Sequence, residues 1–470
     1  MHTRRDILQL LGASAGAGLL AGALPAFAAP VAGTSTAAGN FVSKRPPKAQ
    51  RRFVSKAVEQ QIVQIKARIA DPELAWLFEN CYPNTLDTTV ETGTRNGKPD
   101  TFVITGDIHA MWLRDSSAQV HPYVPLARRD PALRRMFHGL IQRQAACIRL
   151  DPYANAFLPD GQTQRLKWSL NDITEMKPGV GERKWEIDSL CYPIRIAHEY
   201  WRATGDAAPF DDDWRAAMQV VVRTFREQQR KDNRGPYVFQ RPSPLATETL
   251  VLEGYGQPTR PNGMIHSMFR PSDDACVYPL FVPANLFAVA SLRQLATMST
   301  ALHRDAAFAA DCTALADEVE AATRKFGQQR DTDGQAYWAF EVDGYGNQLF
   351  IDDANAPGLL SLAYLAAAAA PTRYSCARAS WPGASATRIS RAAARPRASA
   401  ARTAAWVRSG RCRSSSTRWS ATTTHNCASA CSGSRPPMPA PASCTRPSTR
   451  TTRAPSPATG SPGPTPCSAN

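Results

Sequence analysis

Trp185-Glu186-Ile187-Asp188-Ser189-Leu190-Cys191-Tyr192-Pro193 sets two carboxylates inside an apolar and aromatic run. Ionised carboxylates are costly in a core unless they are paired or put to use. A helix-like segment follows, Pro193 to Thr204, so Asp188 reads as a residue at the entry from a loop into a helix. The pattern recurs three times. Asp115-Ser116-Ser117 leads into Val120-His121-Pro122-Tyr123, and Asp273-Asp274-Ala275-Cys276-Val277-Tyr278-Pro279 repeats the Cys-Tyr-Pro ending. Asp352-Asp353-Ala354-Asn355-Ala356-Pro357-Gly358 is expected to open a Leu- and Ala-rich helix. The gaps between Asp115, Asp188, Asp274 and Asp353 are 73, 86 and 79 residues. Spacing of this order suits a long helical hairpin, a unit larger than the usual solenoid repeat. Four acidic loops, one per hairpin, would then gather at one end of a helical toroid as a catalytic rim. Taken singly, each Asp is equally well read as a helix cap.

The rest of the body reads as mostly helical. Apolar residues recur at helical spacing from Phe53 to Phe78, and Cys81-Tyr82-Pro83-Asn84 ends that helix. Thr88 to Ile104 predicts a β-hairpin turning at Asn96-Gly97. Further helices are expected over Leu133–Leu150, Trp214–Gln229, Leu280–Met298 and Ala306–Phe326. Asp151 to Arg183 and Thr247 to Asn262 read as long irregular stretches, the first placed to wall one side of a pocket. Tyr337 to Phe350 predicts a hairpin around Gly344-Tyr345-Gly346.

Three motifs carry a family resemblance: Gly106-Asp107-Ile108-His109-Ala110-Met111-Trp112-Leu113-Arg114-Asp115-Ser116, the Trp185–Pro193 stretch, and Phe269-Arg270-Pro271-Ser272-Asp273-Asp274. Together they resemble glycoside hydrolase family 125 from about Arg51 to about Leu365. The resemblance implies an all-α-dominated (α/α)6 barrel with small β-hairpin excursions. It also implies a metal-independent, inverting exo-α-1,6-mannosidase that needs no cofactor, its substrate an α-mannoside oligosaccharide.

Glycoside cleavage with inversion needs an acid at the leaving oxygen and a base that activates water on the opposite face. The resemblance makes Asp188 the acid, and its Trp185 and Tyr192 neighbours favour the protonated form by desolvation. Glu186, two residues away, is the alternative acid and otherwise a substrate-binding group. Arg114 and Asp115 are expected to clamp sugar hydroxyls over an apolar floor at Trp112, with Arg270, Asp273 and Asp274 doing the same from the opposite rim. The competing reading for each charged residue is a buried structural ion pair. His109 and His266 are further candidate donors. The body shows no His-Glu-x-x-His or His-x-His cluster, its five cysteines are scattered, and no nucleophile elbow is present.

The two ends differ from the body. The chain of 470 residues carries a formal charge of +15, but residues 371–470 contain 15 Arg and no Lys, Asp or Glu. The remainder is balanced at 40 basic against 40 acidic residues, so the charge does not indicate a nucleic-acid or membrane partner. Residues 371–470 also lack Leu and Phe, and such a composition cannot offset its ordering entropy. This stretch reads as the product of a translation frame slip in a GC-rich gene, the alternative being an Arg-rich arm for anionic partners. Pro441 to Ser448 can be encoded so that a shifted frame gives Gly-Phe-Met-His-Glu-Ala-Phe, which resembles the family's C-terminal base-bearing motif. On that reading the barrel is incomplete and the base is missing, leaving an inactive enzyme or a non-catalytic glycan-binding remnant. A different helical-toroid glycosidase, such as an α-glucosidase, is the other alternative.

At the other end, Thr3-Arg4-Arg5-Asp6-Ile7-Leu8, a weakly apolar stretch and Ala26-Phe27-Ala28 read as a twin-arginine export signal over residues 1–28. A flexible linker is expected over 29–50, the glycosidase domain over 51–370, and a periplasmic or extracellular destination. No segment reads as a stable membrane span. Replacing Arg4 and Arg5 together by Lys should retain the precursor in the cytoplasm, as seen by cell fractionation. Unchanged export would assign the segment to another route.

Overall fold

The computed structural model describes residues 41–162 and 164–365, all within one packing unit. The expected export signal at 1–28 and the Arg-rich stretch 371–470 lie outside the described residues.

Helix α1 (Lys56–Lys66) starts at Ser55, whose hydroxyl accepts the Val58 N–H. Helix α2 (Pro72–Cys81) follows after a break where one continuous helix was expected. Asp71 causes the break: its carboxylate accepts the N–H groups of Glu73 and Leu74, and Pro72 occupies the first helical position. A short α3 (Asn84–Thr88) leads into the hairpin β1 (Val90–Arg95) and β2 (Lys98–Val103), paired from Val90↔Val103 to Arg95↔Lys98. Its turn residues Asn96 and Gly97 both take positive φ, as the twist of a two-residue hairpin demands. The ordered body begins before residue 51. Arg45 donates to Glu59 and Asp87, and the Trp76 indole donates to Val42 O at 2.6 Å. Residues 41–50 of the expected linker therefore dock onto the first helices.

Strand β3 (Met111–Trp112) runs straight into α4 (Leu113–Val120). Asp130 then caps α5 (Pro131–Leu150) by accepting the Ala132 and Leu133 N–H groups. The same carboxylate accepts the Ser55 hydroxyl at 2.6 Å, so one buried group fixes the starts of α1 and α5. The stretch expected to be irregular contains β4 (Ala156–Phe157) and β5 (Val180–Glu182), which complete an antiparallel sheet in the order β3-β4-β5. That sheet joins the loop before Arg114 to the loop before Glu186.

Helix α6 (Ile187–Thr204) is buried along nearly its whole N-terminal half and ends at Gly205 in the left-handed region. It packs against α4, α5 and the later apolar helix α8. Helix α7 (Asp212–Gln228), capped by Asp211, packs on α5. After the strand β6 (Leu280–Phe281), α8 (Val282–Met298) and α9 (Ala306–Gly327) form a helical hairpin. The strands β7 (Gln328–Arg330) and β8 (Ala336–Trp338) pair with each other, and β9 (Glu341–Val342) and β10 (Gln348–Leu349) close the expected hairpin and add to β6. The Leu/Ala helix expected after Asp352 is replaced, up to Leu365, by a single 3₁₀ turn over Leu359–Ser361. Asp352 caps that turn through the Leu359 and Leu360 N–H groups.

Helix α5 lies so close to β2 that a Cβ on Gly139 would stand 2.5 Å from Thr101 Oγ1 and 2.6 Å from the Asp100 carbonyl carbon. Gly139→Ala should therefore destabilise the fold by about 1–3 kcal/mol, despite the roughly 1 kcal/mol gain in helix propensity. Urea denaturation checks this, and an equal or higher midpoint would show that the β2 strand yields freely.

Candidate active site

Arg114 stands in the first turn of α4, delivered there by β3, and is almost wholly buried. Its Nη1 donates to Glu186 Oε2 at 2.7 Å and to Asp188 Oδ2 at 3.0 Å. Both carboxylates lie at the start of α6, Glu186 as its N-cap residue and Asp188 in its first turn, and neither has surface exposed. Ser189 Oγ also donates to Glu186 Oε2 at 2.9 Å. Asp115 completes the group, 3.8 Å from Arg114 Nε. Burial works against the Arg114 charge, but Glu186, Asp188, Asp115 and Asp273 outweigh it and keep the guanidinium protonated.

Several acidic groups around one cation leave an excess of negative charge, and the site answers by holding protons. Burial, against the pull of Arg114 and with the charges of Asp188 and Asp273 adding to it, pushes the Glu186 carboxyl up to about 8. Burial raises Asp188 as well, opposed by Arg114. Asp115 is raised by burial in the same way. Arg114 Nε, Glu186 Oε1 and Asp188 Oδ1 are buried without a hydrogen-bond partner in the protein. Polar atoms left unpaired at such depth are costly, and three on residues joined through one guanidinium are suited to the hydroxyls of a ligand.

The opposite wall comes from the Phe269–Asp274 turn. Asp273 adopts φ 69°, and its backbone carbonyl accepts Lys184 Nζ at 2.9 Å. The residue is exposed at the surface, yet desolvation by the surrounding protein raises its carboxyl, with the Lys184 cation opposing. Arg270 is committed in part: Nε donates to Glu341 Oε1 at 2.6 Å, while its buried Nη2 is left without a partner. Asp274 meets Ser272 Oγ at 3.4 Å and adds to the burial that raises Asp353. The four acidic segments expected at one rim thus act on one another: Arg114 senses Asp273, and Asp353 senses Asp274.

Three residues fit their expected roles less closely. Trp112 is 7% exposed and packs with Ala156 and Leu158, so it offers a ligand an edge and not a floor. His266 is buried between Thr259 Oγ1 and Gln228 O and is driven by burial down to about 3, which makes it a neutral structural residue. His109 lies beside Glu91, 3.6 Å away on an exposed surface. Glu341 and Glu182 are among the buried carboxylates that sequence reasoning missed. Glu341 accepts the Tyr278 N–H as well as Arg270, and Glu182 accepts from Asn155, Trp168 and Arg241. Burial works to raise Glu182, but Lys184 and Arg241 outweigh it and hold it below the ordinary range. Glu341 follows the apolar run Ala336–Phe340, the kind of signal that revealed Glu186, whereas Glu182 is followed by Arg183 and Lys184 and carries no such signal. Among the described residues no group of three His, Cys, Asp or Glu side chains is arranged to hold a metal, and Cys81, Cys147, Cys191, Cys276 and Cys312 are free thiols.

The raised Glu186 carboxyl has a consequence for stability. The folded chain keeps a proton that the unfolded chain releases near pH 4.5, so this group's contribution is present at low pH and is lost as pH rises toward 8. Glu186→Gln removes that loss. The melting temperature of the variant, relative to the parent, should therefore be higher at pH 8.5 than at pH 5. An equal difference at both values would show that Glu186 ionises normally.

A family model described as metal-independent alpha-mannosidase (GH125) matches residues 71–379. The meiotically up-regulated gene 157 protein of Schizosaccharomyces pombe is 40% identical over 343 residues, covering 68% of this chain and 66% of that relative, just under two thirds of its length. A solved Streptococcus pneumoniae structure, described as a metal-independent alpha mannosidase in a non-productive complex with alpha-1,6-mannobiose, superposes with a TM-score of 0.63. It is 38% identical, and the match covers 67% of this chain and 74% of the other. With its Arg114, Glu186 and Asp188 constellation inside the matched region, this chain belongs to glycoside hydrolase family 125.

Proposed function

We propose that this protein belongs to the exo-α-1,6-mannosidases: an exported glycosidase that removes non-reducing-end mannose with inversion, using no metal and no cofactor. The observation that carries the reading is the unpaired Asp188 Oδ1 beside Arg114 in a buried, proton-holding site. Asp188 supplies the proton to the leaving oxygen, and Arg114 fixes its carboxyl group while Glu186 shares the same cation. Arg114 Nε, Asp115, Asp273 and Arg270 Nη2 take the sugar hydroxyls. The mannobiose-bound structural relative supports the substrate class, and the family description supports independence from metal.

Glu186 and Asp188 do not form the acid and base of an inverting pair. Both reach one nitrogen of Arg114, whereas inverting carboxyls stand about 6.5–9.5 Å apart to admit water and sugar between them. The base therefore comes from another segment. In this reading it comes from a C-terminal part of an (α/α)6 barrel that residues 371–470, without a single Asp or Glu, do not encode. That composition favours a second reading for the chain as it stands: a glycan-binding form with an intact pocket and no turnover. The proposed organisation is an export signal over 1–28, a catalytic domain to about residue 370 and a frame-shifted remainder.

The test compares the present chain with one whose reading frame is restored near codon 370, both on α-1,6-mannobiose with EDTA present. The restored enzyme should hydrolyse the disaccharide, and Asp188→Asn should lower its rate by about 10²–10⁴-fold, the usual worth of acid–base assistance. A loss below tenfold would move the acid to another residue. Activity abolished by EDTA and returned by a divalent cation would overturn the metal-independent reading.

A further inference from the structure

Trp168 is a large aromatic side chain held out in solvent, 42% exposed, yet its indole N–H is anchored inward on Glu182 Oε1 at 3.2 Å. Glu182 is a buried carboxylate whose other partners are Arg241 Nη2 and Asn155 Nδ2, both at 3.0 Å. The segment that follows the ring is tied down. Ser169 Oγ donates to Gly181 O at 2.8 Å, and Asp172 receives both Nε and Nη2 of Arg241 at 2.7 Å. Ile173 forms a bridge with Gln240. The ring is therefore presented on a fixed support. An anchored aromatic face costs little ordering entropy when it meets a ligand.

Its position connects it to the pocket. Leu166, two residues before Trp168, packs with Trp112, Ala156 and Leu158, and Trp112 stands two residues before Arg114. Strand β5, which ends on Glu182, pairs with β4, and β4 pairs with β3 at Trp112. On the other side, Lys184 follows Glu182 by two residues and bonds the carbonyl of Asp273. Glu182, the anchor of Trp168, is also near enough for its charge to act on Asp273.

We propose that the exposed face of Trp168 is a stacking platform for a second pyranose, one bonded to the terminal mannose and lying at the rim outside the acidic pocket. This rests on the reading of that pocket as a mannoside site. A pyranose offers a face of C–H groups that complements the electron-rich face of an indole, while its hydroxyls stay in water. The acidic pocket supplies the hydroxyl-directed contacts for the first sugar. The rim supplies an apolar contact that tolerates different linkages at the far end of the glycan.

The test is calorimetric binding to the full chain, using methyl α-mannoside as the one-sugar probe and sulfur-linked α-1,6-mannobiose and mannotriose as hydrolysis-resistant probes. Trp168→Ala should weaken both oligosaccharides by about three- to tenfold while leaving methyl α-mannoside within about twofold. Trp168→Phe, which keeps a ring but loses the anchor, should fall between the two. Both variants should melt with the parent protein because the ring is exposed. Unchanged oligosaccharide affinity in Trp168→Ala, with the parent binding all three probes, would overturn the platform and leave the pocket reading intact. An equal loss for the one-sugar probe would also overturn it, since Trp168 would then be shaping the pocket. A parent chain that binds none of the probes would overturn the pocket reading and the platform together.

Discussion

One guanidinium nitrogen, Arg114 Nη1, donates to the carboxylates of both Glu186 and Asp188, and the geometry around it depends on that sharing. An unpaired ion at this depth would cost several kcal/mol, so neither the start of α4 nor the start of α6 is stable without the other. The pairing is incomplete by design of its charges: one cation faces several acids. The surplus is met by proton uptake: Glu186 is pushed up to about 8, and the same burial raises Asp188, the proposed acid. General acid chemistry requires that condition.

The scaffold serves this contact by bringing three loops to one place. The β3-β4-β5 sheet has only two or three residues per strand, yet it fixes the approach of both Arg114 and Glu186. The Trp185 carbonyl accepts the Met268 and Phe269 N–H groups, so the Arg270–Asp274 turn is tied to the residue beside Glu186. Behind the loops, α6 and α8 supply an apolar mass that excludes water from the carboxylates. Small strands do the positioning while helices supply the desolvation.

The polar residues around the pocket divide according to whether their partners satisfy them. Glu341, Glu182, Asp151 and Asp172 are buried and paired with arginines, and these pairs hold loops in place. Arg114 Nε, Glu186 Oε1, Asp188 Oδ1 and Arg270 Nη2 remain open and lie among the residues of the three family motifs. Arg270 belongs to both groups, with one nitrogen spent on Glu341 and another left free. A guanidinium can serve structure and recognition together because its donors point in fixed, separate directions.

Much of this was legible in the sequence. Two carboxylates in an apolar run singled out Asp188, acidic segments at long spacing singled out Asp115, Asp274 and Asp353, and the Asn96-Gly97 turn and most helices follow from local pattern. Such features are local, because caps, turns and amphipathic periods act over a few residues. The Asp71-Pro72 break was equally local and is explained by capping that the periodicity alone concealed. What only the tertiary structure decided is which charge meets which. Sequence assigned Arg270 to a sugar, and folding gave its Nε to Glu341, 71 residues away. Sequence offered His266 as a ligand donor, and folding sealed it between Gln228 and Thr259. It left Glu186 and Asp188 as alternatives, and folding joined them on a single nitrogen of Arg114. A side chain's chemistry is written in its own residue, but its protonation and its free hydrogen-bonding positions depend on burial and on partners distant in the chain, which exist only once the helices have packed.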